Sequence, residues 1–114
     1  MNIKISKIIA SGLFLISGAC YAADVAPLMD AKSCEPPKYP KSSLMNEETG
    51  TVGLLFVVAA DGKVVESKVE KTSGSSRLDK AALSALSLCS FKPGTKDGKA
   101  AQMNAKIDFV WKLD

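Results

Sequence analysis

The sequence predicts an α+β domain: a three-stranded antiparallel sheet with one long helix packed on one face, and a short helix ahead of it. Three observations lead there. Residues 50–73 read as a hairpin, because Val52, Leu54, Phe56 and Val58 alternate with period two and Asp61-Gly62 supplies the positive φ angles of a two-residue turn. Leu78, Ala82, Ala85 and Cys89 then recur at helical spacing, with Ala81, Leu86 and Leu88 widening the stripe. Finally, Ala101, Met103, Ala105, Ile107, Phe109, Trp111 and Leu113 alternate with polar residues, the pattern of a half-buried strand. A lone hairpin is marginal in water, so helix and last strand are needed to cover it.

At the N-terminus, Lys4 and Lys7 precede an apolar run from Ile8 to Ala19, and small residues stand where a signal peptidase reads. This predicts a secretory signal over residues 1–22. The run is short for a membrane span, which needs roughly 20 mostly apolar residues. Two other readings of the segment stay open: an uncleaved inner-membrane anchor, and a lipoprotein with Cys20 as its lipidated end, although Ser17 stands where the lipid box usually has Leu. Residues 23–33 carry no periodicity and read as a short tether, with the domain expected over residues 34–114.

Removing residues 1–22 takes Cys20 away and leaves Cys34 and Cys89. An even number of cysteines in an oxidising compartment favours a disulfide over two buried free thiols. Formal charge is +3 for the whole chain and falls to +1 once Lys4 and Lys7 are gone, which leaves no footprint for nucleic acid.

Within the domain, Pro36 and Pro37 hold an extended approach to Tyr39-Pro40. Lys41 to Glu48 then read as a short helix with Pro40 at its first position and Leu44 and Met45 facing inward. After the hairpin, Ser76 is placed to cap the long helix and Asp79 to favour its positive end. Phe91-Lys92-Pro93-Gly94 ends that helix. A second Asp-Gly turn, Lys96 to Lys99, leads into the last strand, which is expected at a sheet edge with unpaired backbone groups.

Enzymatic chemistry finds little support. The chain has no histidine, and Asp61, Asp79 and Asp97 stand at turns or a helix start, where backbone chemistry explains them. Cys34 and Cys89 lack the spacing and partners of a metal site. No cofactor is expected.

The order Tyr39-Pro40, Gly50-Thr51-Val52, Asp61 to Val64, Ser73-Gly74, Leu78-Asp79 with Ala81-Ala82, Phe91 with Pro93-Gly94, and Asp97 to Lys99 before an aromatic last strand resembles the C-terminal domain of the TonB family. The resemblance implies a domain that catches a short extended segment of an outer-membrane receptor, or of another envelope protein, as a strand beside its own last strand. Carried onto this chain, the partner-binding residues are Asn104, Ala105, Lys106, Ile107, Asp108, Phe109, Val110 and Trp111, helped by the approach at Lys38 and Tyr39. Better-known members carry polar side chains able to hydrogen-bond the receptor where this chain has Pro36, Pro37 and Lys38.

The side chains of Phe109 and Trp111 read as core, so the binding expectation rests on the strand's backbone. Lys96, Lys99, Lys106 and Lys112 read as solvated charge or as protection of the edge. Full transducers of the family add a retained transmembrane helix with a functional histidine and a long linker. Here the expected tether reaches about 40 Å at most. The implied function is therefore that of a periplasmic binding module. A structural or self-associating envelope subunit, such as a homodimer, and a short membrane-anchored energy transducer are the alternatives. Contact with a membrane is expected only if the N-terminal segment is retained or Cys20 is lipidated.

Overall fold

The computed structural model describes residues 24–114; the expected signal segment lies outside the described residues. The main sheet is three-stranded and antiparallel, built from β2 (Gly50–Val58), β3 (Val64–Lys71) and β7 (Met103–Trp111) in the order β3-β2-β7. The long helix α2 (Ser76–Leu86) lies on one face of it. Val52, Leu54, Phe56 and Val58 are the inward positions of the central strand, and all four are buried. They meet Leu78, Ala82 and Leu86 of α2 and Ala105 and Trp111 of β7 in one core. The α+β class, the sheet and the long helix thus stand as expected.

The hairpin turn differs in type. Of its residues only Gly62 has positive φ, at 90°. Gly62 N–H donates to Ala59 O (2.9 Å) and Ala59 N–H to Lys63 O (2.8 Å), which makes a three-residue loop, Ala60-Asp61-Gly62, closed by a left-handed glycine. Asp61 serves instead as an acceptor, its Oδ1 taking the Lys63 N–H at 3.0 Å. The second Asp-Gly turn does adopt positive φ at both residues, 51° for Asp97 and 80° for Gly98. It joins two short strands of its own, β5 (Gly94–Lys96) and β6 (Lys99–Ala101), so Ala101 falls outside the last strand, as does Leu113 at the other end.

Both helices are shorter than expected. Helix α1 covers Lys41–Met45, with Pro40 as its N-cap, and Glu47 at φ 52° turns the chain away. Leu44 and Met45 are 46% and 78% exposed, because the one buried position of so short a helix is taken by Ser43. Helix α2 is capped by Ser75, whose hydroxyl accepts from Leu78 N–H at 3.3 Å, not by Ser76. It stops at Leu86, well before Pro93, so Leu88 is 78% exposed and Cys89 sits on the turn that follows. The early stop frees Phe91 to donate its N–H to Gly62 O at 2.9 Å and to form β4 (Phe91–Lys92).

The segment expected as a tether is instead packed on the domain. Strand β1 (Leu28–Met29) pairs with β4, and Val25 and Thr95 exchange two backbone hydrogen bonds of 2.9 Å. A 3-10 turn, Ala31–Ser33, capped by Asp30, then brings the chain to Cys34. Two-residue strands are too short to leave a periodic signal, which is why the sequence read as featureless there. Cys34 and Cys89 form a disulfide, with Cα atoms 4.8 Å apart.

Candidate partner-binding edge

Strand β7 is nine residues long and pairs with β2 through nine consecutive residue pairs, from Gly50↔Trp111 to Val58↔Met103. Its other side has no strand beside it among the described residues. In an antiparallel strand alternate residues point both backbone groups the same way, so such an edge offers donors and acceptors at every second residue. Among the described residues the sheet has one other free edge, on β3, and the two are unlike. The register of β3 on β2 breaks twice, at Gly53/Leu54 and Val57/Val58. Bulges of this kind twist an edge away from further pairing, whereas β7 is regular throughout.

The side chains of β7 divide as the alternation dictates. Ala105 and Trp111 are buried and Ile107 and Phe109 half-buried on the helix side, while Asn104, Lys106, Asp108 and Val110 are exposed on the other. Lys106 Nζ lies 3.6 Å from Glu70 Oε1, reaching across β2. The Trp111 ring meets Tyr39 and Phe109 edge-on, each at 4.9 Å between centroids. Tyr39 is thus brought to the end of β7, and its hydroxyl donates to the Glu48 carbonyl. Lys38, the residue before it, lines a groove with Glu35, Ala85 and Leu88 on the helix side.

Beside β7, on the helix side, lies an apolar notch of about 220 Å³. Ile107 and Phe109 form one wall, with Ala31, Pro36, Pro37 and Leu86 among the residues facing them. The parts contributed by Ala31 and its neighbours were missed in the sequence, since residues 23–33 carry no periodicity. Cys34 also lines this notch, so the disulfide fixes its proline wall to the end of α2.

Two carboxylates lock the loops that carry these elements. Burial pushes the Asp79 carboxyl up, but hydrogen bonds from the Thr72 hydroxyl and from the Ser73 N–H (2.9 Å) and hydroxyl (2.7 Å) outweigh it and hold Asp79 below the ordinary aspartate range. Asp79 therefore ties β3 to α2 rather than reaching back to its own helix cap. Glu48 is also held low, by the Ser43 hydroxyl beside it, which makes no well-aligned hydrogen bond, and by the Ser75 hydroxyl, which donates to it at 2.9 Å. Arg77, 3.6 Å away, adds to this. No group of three or more metal-ligating side chains converges among the described residues.

Residues 35–113 match the family described as the Gram-negative bacterial TonB protein C-terminal. Protein TonB of Xanthomonas campestris pv. campestris (strain B100) is 32% identical over 94 residues, which is 81% of this chain and 42% of that protein. Protein TonB of Neisseria meningitidis serogroup C is 46% identical over 56 residues, 49% of this chain and 20% of that one. The chain therefore spans less than half the length of these curated relatives. The solution NMR structure of the Pseudomonas aeruginosa TonB CTD superposes with a TM-score of 0.61 at 26% identity, covering 85% of this chain and 94% of that one. The family match over residues 35–113, the identity to these relatives and the shared fold agree on one conclusion: this chain belongs to the TonB C-terminal domain family.

Proposed function

We propose that this domain is a periplasmic binding module, freed by removal of residues 1–22, that takes an extended segment of an outer-membrane receptor or another envelope protein as an added strand on β7. Its role is binding rather than catalysis. The observation that carries this reading is the open outer edge of β7, regular over nine residue pairs, beside a β3 edge that bulges twice. Main-chain hydrogen bonds supply the affinity in this mode and side-chain contacts the selectivity.

The test is selection from a random-peptide display library on the purified protein with its disulfide intact, followed by hydrogen exchange on the selected complexes. Outward amides of β7 gain protection and those of β3 do not. Proline at Lys106 and, separately, at Ile107 probes successive backbone positions, one of which points its N–H outward. That variant keeps its fold and binds at least about fivefold more weakly, the share of one hydrogen bond. Wild-type affinity in both folded variants, or protection confined to β3, refutes the reading.

One observation favours a second reading, self-association through the same edge. Two copies of β7 paired antiparallel about Ile107 set Lys106 opposite Asp108 and Ala105 opposite Phe109, each twice, which joins opposite charges and a small with a large side chain. Sedimentation across a concentration series decides it: a dimer broken by Lys106→Asp supports pairing in this register, and a monomer at every concentration excludes it.

A further inference from the structure

The notch beside β7 carries information about the sequence of the segment that the edge takes; this inference rests on the strand-addition reading. Ile107 and Phe109 stand two residues apart on the helix side of β7 and form one wall. The other walls come from Ala31, Pro36 and Pro37 of the N-terminal approach and from Leu86 of α2. Almost no polar atom faces the space, and its volume of about 220 Å³ exceeds the roughly 150 Å³ in which a dry apolar cavity holds benzene. The approach runs past β7 without closing its edge, because Pro36 and Pro37 have no N–H to give a ladder.

In a strand laid along β7, the side chain opposite Ile107 points to the same face as Ile107, into the notch, and its two neighbours point to the other face. On that face Ile107 is flanked by exposed charges of opposite sign, Lys106 and Asp108. Among the described residues Lys106 is engaged in an exposed pair with Glu70, of a kind weak enough to be exchanged. A polar side chain in the notch would lose its water without gaining a partner.

We propose that β7 selects an extended segment with a branched aliphatic or aromatic residue between one acidic and one basic residue. The apolar side chain fills the notch, the acid lies beside Lys106 and the base beside Asp108. An antiparallel segment then reads basic, apolar, acidic from its N-terminus, and a parallel one reads the reverse.

The random-peptide selection tests this when it is repeated on two variants. Ala31→Trp fills the mouth of the notch from an exposed position. Lys106→Asp with Asp108→Lys exchanges the flanking charges. On the wild type, peptides that protect β7 amides carry an apolar residue at one fixed position between opposite charges. Replacing that residue by Asp in the peptide weakens binding at least about tenfold. Ala31→Trp removes the apolar preference, and the charge exchange reverses the order of acid and base. Peptides that protect β7 with no apolar preference, or with one that Ala31→Trp leaves intact, overturn the inference while strand addition stands. If no peptide protects β7, strand addition itself fails and takes the inference with it. The peptide substitution needs no change to the protein, so a variant that failed to fold would not blunt the test.

Discussion

Opening the Cys34–Cys89 bridge is expected to remove a large share of the domain's stability. The bridge joins residues 55 apart in sequence. Closing a loop of that length takes about 14 cal/mol/K of chain entropy from the unfolded state, or about 4 kcal/mol at 25 °C. Since domains hold about 5–15 kcal/mol in total, the reduced protein is left marginal. At about 4–8 °C per kcal/mol for a domain of this size, the thermal midpoint falls by roughly 15–30 °C. The chain's one tryptophan, Trp111, is buried, so its fluorescence reports unfolding directly. Urea titrations are compared for the oxidised protein, the protein in reductant, and the Cys34→Ala, Cys89→Ala double variant, which avoids placing a hydroxyl at the buried Cys89. A loss below about 1 kcal/mol in both reduced forms would refute the loop-entropy reasoning. It would mean that residues 34 and 89 stay close in the unfolded chain without a bond.

Three further outcomes follow from the same geometry. Asp79→Asn leaves an amide facing donors from Thr72 and Ser73, and is expected to lower stability by about 1–3 kcal/mol in urea unfolding; a wild-type midpoint would show that the cluster contributes nothing. Glu48 and Asp79 both titrate below their ordinary range in the fold, so the unfolded chain takes up protons first as the pH drops. Their stabilisation is complete above the ordinary carboxylate pKa of about 4 and is lost as the pH falls through the lower folded values. The acid limb of the stability profile is then shallower in Asp79→Asn than in the wild type, and an unchanged limb counts against the Asp79 share. Gly62→Ala puts a methyl group into the Phe91 carbonyl at φ 90°, whereas Gly74→Ala, at φ 100°, meets nothing within 4 Å. The first is expected to cost more than the second, which bears only the backbone penalty of about 1 kcal/mol; equal midpoints would contradict the packing seen at Gly62.

What was legible in the sequence was whatever repeats. Val52 to Val58 and Met103 to Trp111 alternate over enough residues for period two to stand out, and Leu78 to Leu86 do the same at helical period. Their faces in the structure are the ones the patterns imply. Single residues misled where a tertiary contact decided the outcome. Leu44 and Met45 look like an inward face, but a helix barely longer than a turn has room for one buried side chain, and Ser43 holds it. Leu88 continues the helical stripe in sequence, yet the helix has already ended at Leu86 and the chain turns toward the hydrogen bond from Phe91 N–H to Gly62 O. Asp79 stands where a capping residue belongs, and the hydroxyls of Thr72 and Ser73 capture it. The last strand was expected at an edge, and it stands there in the three-stranded sheet. The notch beside it was not, since its walls come from a segment whose strands are two residues long.

Tyr39 explains how these pieces are held to one geometry. Its ring packs edge-on against Trp111 at the end of β7, and its hydroxyl binds the Glu48 carbonyl at the entry to β2. Glu48 in turn takes the hydroxyl of Ser75, the residue that caps α2, and lies beside Arg77 in the first turn of that helix. At the other end of the approach, Cys34 is bonded to Cys89 just past the end of the same helix. The short run from Cys34 to Tyr39 is therefore pinned at both ends, and Pro36 and Pro37 lie between the pins. A segment with two fixed φ angles and two fixed ends has little freedom left, so the notch wall is placed without any hydrogen bond to β7. That arrangement reconciles two demands that conflict in most sheets: the apolar side chains of the last strand are partly covered, and its backbone edge stays open. Pairing by a non-proline approach would have covered both at once and closed the edge.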